Sequence, residues 1–410
     1  MAEYLPDRTF ADPSILQEMV QKEETPFFLY DHQGILDSIS RLHGAFGSVT
    51  GYQNYFPIRE NNNPVILKLL ADTGTGVCAC SGLELRIAEK CGFSGRQLLY
   101  EPGRKDPDAE SLAARLHAVW LINGRYLLPD PVPEEVILRY HPHEMKMSPM
   151  QFPKIGSSKN GLTREQLLEA VKLLSTRGCR RIGLALQVSS YSIQPSCWEH
   201  RLSVLEKLAQ EIERETGVTI SRFHIGEGPG LPYCPSTAVP TLEEEAEKVI
   251  RCLKTLFAER EPELYTSVCS RLLECNGILV TKILEERVNL RTFLVLDAGI
   301  GQYIRPALKQ AYRHISVLGK NETENRKLYS LVGEMPDEID RLVKRGRMLP
   351  RVKAGDYCII HDVGCGARSM AMLYGTHVIP AEYLCGQDGS YRQISMRRSE
   401  EEVAAFLTAW

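Results

Sequence analysis

From about residue 50 to residue 280, short β-forming runs alternate with amphipathic helical runs, and this alternation restricts the possible folds most strongly. Residues 53–58, 77–80, 97–100, 118–122, 136–140, 183–188 and 220–225 read as strands, with a weaker candidate near 265–273. Between them, 64–71, 82–91, 164–174, 201–215 and 242–257 carry apolar residues at three- and four-residue spacings. Strands parted by helices pair in parallel through crossovers, and about eight repeats favour a closed barrel over an open sheet. From about 278 the pattern changes. The runs 277–284, 292–296, 357–361 and 376–379 are separated by turns without regular helices, which predicts an antiparallel β domain. The polar stretch 321–338 reads as an excursion at the barrel mouth or a subunit contact.

A chain of 410 residues exceeds one ordinary domain, and 43% hydrophobic with 25% charged residues matches a globular protein in water. A net charge of -3 gives no pull toward nucleic acid or an anionic membrane surface. No apolar stretch approaches the roughly 20 residues of a membrane helix, and the opening residues lack the basic-then-apolar order of a signal peptide. A cytoplasmic protein is expected. The twelve cysteines, including Cys78, Cys80, Cys179, Cys252, Cys269 and Cys358, fall mostly in apolar runs and read as reduced core thiols. Cys78-Ala79-Cys80 has no second cysteine pair at zinc spacing. Pro142 breaks the register of His141-Pro142-His143-Glu144, so no metal site is expected.

The run Tyr55-Phe56-Pro57-Ile58-Arg59-Glu60-Asn61-Asn62-Asn63-Pro64 resembles the cofactor-lysine strand and turn of the diaminopimelate/ornithine decarboxylases, which are pyridoxal-phosphate enzymes of fold type III. Further matches follow in order. They are Thr25 to Asp31, Ser81-Gly82-Leu83-Glu84-Leu85, Ser158-Lys159-Asn160-Gly161-Leu162, Asp297-Ala298-Gly299 with Ile304-Arg305-Pro306-Ala307-Leu308, Val332-Gly333, Gly355-Asp356 and Ser369-Met370. The resemblance implies a (β/α)8 barrel over 33–277, and a β domain built from 278–410 that recruits the strand within 1–32. It also implies a head-to-tail homodimer with sites between subunits, while charge and hydropathy predict no nucleic-acid or membrane partner.

Where the family has its Schiff-base lysine, this chain has Arg59. A guanidinium stays protonated and has no lone pair to offer a carbonyl, so it cannot replace the ε-amine. Five other cofactor positions also depart from the family pattern. The stacking histidine falls on Gln187, and the glycine-rich phosphate loop becomes Gly226-Glu227-Gly228-Pro229-Gly230. There Glu227 adds negative charge and Pro229 removes an N–H. The Glu-Pro-Gly-Arg element becomes Glu274-Cys275-Asn276-Gly277, keeping the carboxylate and losing the arginine. The catalytic cysteine falls on Pro336, and the cofactor-contacting tyrosine on Gly366. Pyridoxal phosphate is thus implied by the family but opposed by its own motif positions, and the cofactor is left unknown.

Arg305 matches a family arginine that binds substrate carboxylate, and Lys309 lies four residues on; the alternative is a surface helix with two exposed cations. Asp337 and Glu338, beside the lost cysteine, and Gln187 complete the substrate candidates. Arg59 is either a carboxylate fork or a structural partner of Glu84 or Glu274. Glu274, Glu227 and His224 are the acid–base candidates with Arg59, against outward exposure for Glu227 and a structural role for His224. Cys365 is a nucleophile only if its pKa is depressed. Glu101-Pro102-Gly103-Arg104 repeats the Glu-Pro-Gly-Arg letters after the third barrel strand and is read as coincidence. Three functions stay open: an enzyme on an amino-acid-type carboxylate without the Schiff base, a non-catalytic binding or regulatory paralogue, or a decarboxylase with unorthodox cofactor anchoring.

Overall fold

The computed structural model describes residues 13–142, 158–187, 197–228, 230–231, 239–257, 261–309, 312–343, 345–376 and 378–409. Two compact units are present. Ser38–Leu231 with Val239–Cys269 makes one, and the chain before residue 38 joins that from Ser270 onward in the other.

In the second unit, strand β1 (Phe27–Asp31) is a nearly continuous apolar run, as a strand buried on both faces requires. In the first unit eight parallel strands close into a barrel: β2 (Gln53–Pro57), β3 (Gly76–Ala79), β4 (Leu98–Tyr100), β5 (Val119–Ile122), β6 (Glu135–Arg139), β7 (Arg181–Ala185), β8 (Arg222–His224) and β9 (Glu263–Thr266). Each expected barrel strand is found. The last begins two residues earlier than expected and ends at Thr266, because the Asn54 side chain binds both backbone groups of Val268 and draws the chain out of the ladder. Polar residues set the starts of four of the expected helical runs. Asn63 accepts from the Val65 N–H ahead of Pro64–Asp72, Ser81 caps Gly82–Lys90, and Thr163 with Gln166 and Thr241 with Glu244 form capping boxes. The barrel interior is filled by Tyr55, Cys78, Leu99, Val119, Leu121, Ile137, Ala185 and Tyr265.

The sheet unit continues with β10 (Gly277–Val288), β11 (Thr292–Leu296), β12 (Ile315–Val317), β13 (Arg326–Val332), β14 (Arg347–Pro350), β15 (Tyr357–Ile360), β16 (Ala381–Cys385) and β17 (Tyr391–Ser395). Strand β1 enters this sheet as expected, antiparallel to β10 and parallel to β16. The sheet is therefore mixed rather than antiparallel, since β11 and β13 also pair in parallel. The strand expected over 376–379 is not found among the residues described there, Thr376, Val378 and Ile379. Thr376 closes a 3-10 turn, and the strand starts only at Ala381, after Pro380, which has no N–H for a ladder. The polar stretch near 321–338 is no mere excursion, because it contains β13. Asp297 ties the strand edges together, accepting from Thr25 at 2.5 Å, from Thr281 at 2.6 Å and from the Lys282 N–H at 2.9 Å. Among the described residues no helix is long and apolar enough to cross a membrane.

Candidate functional site

Side chains alternate along a strand, so the residue two places beyond each inward-facing barrel residue points toward the C-terminal mouth. Applied to Leu99, Leu121, Ile137, Ala185 and Tyr265, that step reaches Glu101, Asn123, Arg139, Gln187 and Ser267. Barrel active sites gather at this end. Glu101 is the hub. Its Oε1 accepts from Asn123 Nδ2 at 2.8 Å and from Arg139 Nη1 at 3.2 Å, and its Oε2 accepts from the Cys78 thiol at 3.5 Å. Arg139 also donates to the Gln187 carbonyl at 2.6 Å. Burial alone would raise the Glu101 pKa, but Arg59 and Arg139, with Asn123 and Cys78 donating, hold it below the ordinary value.

Arg59 sits in the 3-10 turn Ile58–Glu60 directly after β2, with Nη1 3.8 Å from Glu101 Oε2. Its partner is thus Glu101, not Glu84 or Glu274. The Glu84 carboxylate instead accepts from the Cys80 N–H at 2.7 Å. Burial opposes the Arg59 charge, and the Glu101 carboxylate outweighs that and raises its pKa.

Beyond β8, the Gly226 N–H donates to His224 Nδ1 at 3.2 Å, which leaves the ring proton on Nε2, 3.0 Å from Ser267 Oγ. Burial pushes the His224 pKa down to about 4. Glu227 is buried, not turned out to solvent, and accepts from the Cys269 thiol at 3.0 Å. Arg201 lies behind the loop and donates to the carbonyls of Ile225 and Glu227, each at 2.7 Å. A Cβ on Gly228 would overlap the Trp198 ring, so close packing behind the loop accounts for that glycine. Pro229 lies outside the described residues.

A second cluster belongs to the sheet unit. Glu274 is fully buried, with Arg313 Nη2 at 2.6 Å and Arg305 Nη1 at 3.9 Å. Tyr303 accepts from Arg313 at 2.8 Å. Arg305 is buried rather than a surface cation and donates to the Cys365 carbonyl at 3.0 Å. The helix Arg305–Lys309 sets Lys309 one turn further along the backbone. Cys365 itself is fully buried. Asp337 caps the Ile339 N–H and accepts from Tyr374, and the exposed Glu338 pairs with Arg341.

The family model described as pyridoxal-dependent decarboxylase, C-terminal sheet domain, matches residues 27–364, which is most of the chain. The chain belongs to the pyridoxal-dependent decarboxylase family. It is 26% identical over 390 residues to protein TabA of Pseudomonas amygdali pv. tabaci, covering 94% of this chain and 91% of that protein. It is also similar to the diaminopimelate decarboxylase of Methanothermobacter thermautotrophicus, at 24% identity over 384 residues covering 90% and 88%. The solved structure of the M. jannaschii diaminopimelate decarboxylase in complex with L-lysine superposes with a TM-score of 0.86 at 22% identity, over 96% of this chain and 94% of that one.

Set in the decarboxylase fold, Arg59, Gln187, Glu227 and His224 meet at the barrel mouth, whereas Glu274, Arg305, Lys309, Asp337 and Glu338 belong to the sheet unit. Sequence reasoning missed Glu101, Asn123 and Arg139 at the mouth and Arg313 in the sheet unit. Discounting Glu101-Pro102 as a coincidence of letters passed over its place two residues beyond Leu99. The two-residue step was the available signal for all three mouth residues. Arg313 follows no strand or motif and carried none. His143 and Glu144 lie outside the described residues. Among the described residues no group of three or more His, Cys, Asp or Glu is placed to hold a metal ion.

Proposed function

We propose that this chain is a divergent member of the decarboxylase family that binds an amino-acid-type carboxylate and works without the family's Schiff base. One observation carries the reading: where a free amine is needed at the end of the first barrel strand, the guanidinium of Arg59 is ion-paired with Glu101. The residues present do not fit pyridoxal phosphate. Position 59 lacks a nucleophilic nitrogen, the loop's Gly226 N–H is committed to His224, and Glu227 sets a carboxylate against a phosphate dianion. No step is therefore drawn through that cofactor. Without an electron sink the carbanion left by decarboxylation is unsupported, so acyl or condensation chemistry fits the reading as well as carboxyl loss does.

On this reading Arg59 is the carboxylate fork at the mouth, and Arg305 with Lys309 are the carboxylate candidates of the sheet unit. A second reading, a non-catalytic binding paralogue, is favoured by one fact. His224, Glu101 and Glu227 already spend their polar atoms on protein partners. The homodimer is carried from the family on both readings.

Purified protein mixed with pyridoxal phosphate is expected to show no new visible absorbance band and no borohydride-trapped adduct. A band lost on borohydride treatment would overturn the reading in favour of unorthodox cofactor anchoring. Amino-acid turnover abolished in Arg305→Ala selects the enzyme. A co-purifying partner protein with no turnover of any amino acid selects the binding paralogue.

A further inference from the structure

Within the trio Arg59, Glu101 and Arg139 at the barrel mouth the charges do not cancel. Arg139 and Glu101 satisfy each other at 3.2 Å, each with only 13% of its side chain exposed. Arg59 faces the same carboxylate at 3.8 Å, too far for a hydrogen bond, with 43% of its side chain exposed. Among the described residues its guanidinium makes no hydrogen bond, so its fork of N–H donors is available at the mouth. His224 is held neutral by burial, and the buried Glu227 sits beside the buried Arg201. Within this trio, two guanidinium groups against the Glu101 carboxylate leave one positive charge, exposed on Arg59, while Glu60 and Glu84 nearby add negative charge that further opposes a dianion.

We propose that Glu101 is a specificity-determining residue that sets the charge of the ligand, limiting the barrel mouth to a monoanionic carboxylate and excluding a phosphate dianion. Glu101 need not touch the ligand. It neutralises one of the two guanidinium groups, so a carboxylate on Arg59 completes neutrality. A second negative charge would face the Glu101 carboxylate without a cation of its own. Asn123 and Cys78 fix the carboxylate in this role by holding both its oxygens. The inference rests on the carboxylate-binding reading above and names the charge class of that site's ligand.

Calorimetry at pH 8, with L-lysine as the carboxylate probe and inorganic phosphate as the dianion, tests it on the full chain. The wild type is expected to bind L-lysine and to bind phosphate at least roughly tenfold more weakly. Phosphate binding as tight as L-lysine or tighter overturns the proposal without any variant. Glu101→Gln removes the limiting charge and should shift the phosphate-to-lysine affinity ratio toward phosphate by roughly tenfold or more. An unchanged ratio in a folded Glu101→Gln overturns the role of Glu101 while leaving the carboxylate site intact. Arg59→Gln should lose L-lysine binding without gaining phosphate. If it keeps L-lysine, or if the wild type binds neither probe, the carboxylate-site reading itself fails.

Discussion

Arg59 and Glu101 act as one unit, and substitutions at the two positions are coupled. A lysine at position 59 would place its ammonium beside the Glu101 carboxylate, which favours the charged form and withholds the lone pair a carbonyl needs. Arg59→Lys alone should therefore react poorly with added pyridoxal phosphate. Arg59→Lys combined with Glu101→Gln should give roughly tenfold more borohydride-trapped adduct by mass spectrometry, matching about one pKa unit of released amine. Equal trapping in the two variants would show that Glu101 has no hold on the amine.

At the scale of the element, the turn after β8 is held by an imidazole. His224 joins the Gly226 N–H to Ser267 only while Nδ1 carries no proton. Its pKa in the fold is about 4, against an ordinary value of about 6.5 in an unfolded chain. As pH falls, the unfolded chain takes up the proton first. The stabilising contribution is complete above about pH 6.5 and is lost toward pH 4, amounting to about 3 kcal/mol. His361, pushed by burial down to about 3, adds a loss of the same sign. Urea midpoints at pH 7.5 and 4.5 should differ in the wild type, and His224→Gln should narrow the gap; an unaltered gap would remove His224 from the account. Elements of this kind were largely legible in the sequence. The barrel strands follow from short apolar runs alternating with helical ones, and the helix starts from Asn63, Ser81, Thr163 and Thr241. The strand expected over 376–379 failed because apolar β-rich letters carry no information on ladder partners, and Pro380 stands between them and the real strand. The parallel pairing of β1 with β16 was equally hidden, since it joins residues far apart in the chain. At the site, Arg59 was legible as an anomaly, but its partner was not. A pairing between the ends of β2 and β4 reaches across the intervening β3, which neither run of letters marks.

At the scale of the whole molecule, the two ends of the barrel have different uses. The mouth leaves Arg59 an open fork, whereas the N-terminal end is closed by charges that answer one another. Arg222 lies between Glu135 at 3.1 Å and Glu263 at 2.5 Å, Arg181 reaches Glu135 at 3.3 Å, and Tyr265 donates to both carboxylates. Arg222→Met leaves a buried carboxylate short of a partner and should cost on the order of 3 kcal/mol of stability in urea unfolding. Its effect on L-lysine binding should be small, because the base is remote from the mouth along the strands. A loss under about 1 kcal/mol would mean that Arg181 on Glu135, and Arg96, which also pairs with Glu263, already suffice.

The sheet unit holds one contact with a different implication. Gly366 adopts φ +57, and any Cβ placed there would collide with the Arg305 guanidinium. The tyrosine that the family resemblance puts at this place fits only if the Arg305 side chain moves away. Nor does a lysine at position 59 regain a free amine while Glu101 remains. In each of the two units, the residue that the family resemblance calls for needs a neighbour to be replaced or to move with it: Glu101 in one, the Arg305 side chain in the other. On the proposed reading the family's cofactor chemistry is therefore guarded twice over: restoring it takes paired changes, and a single substitution at position 59 or 366 does not suffice.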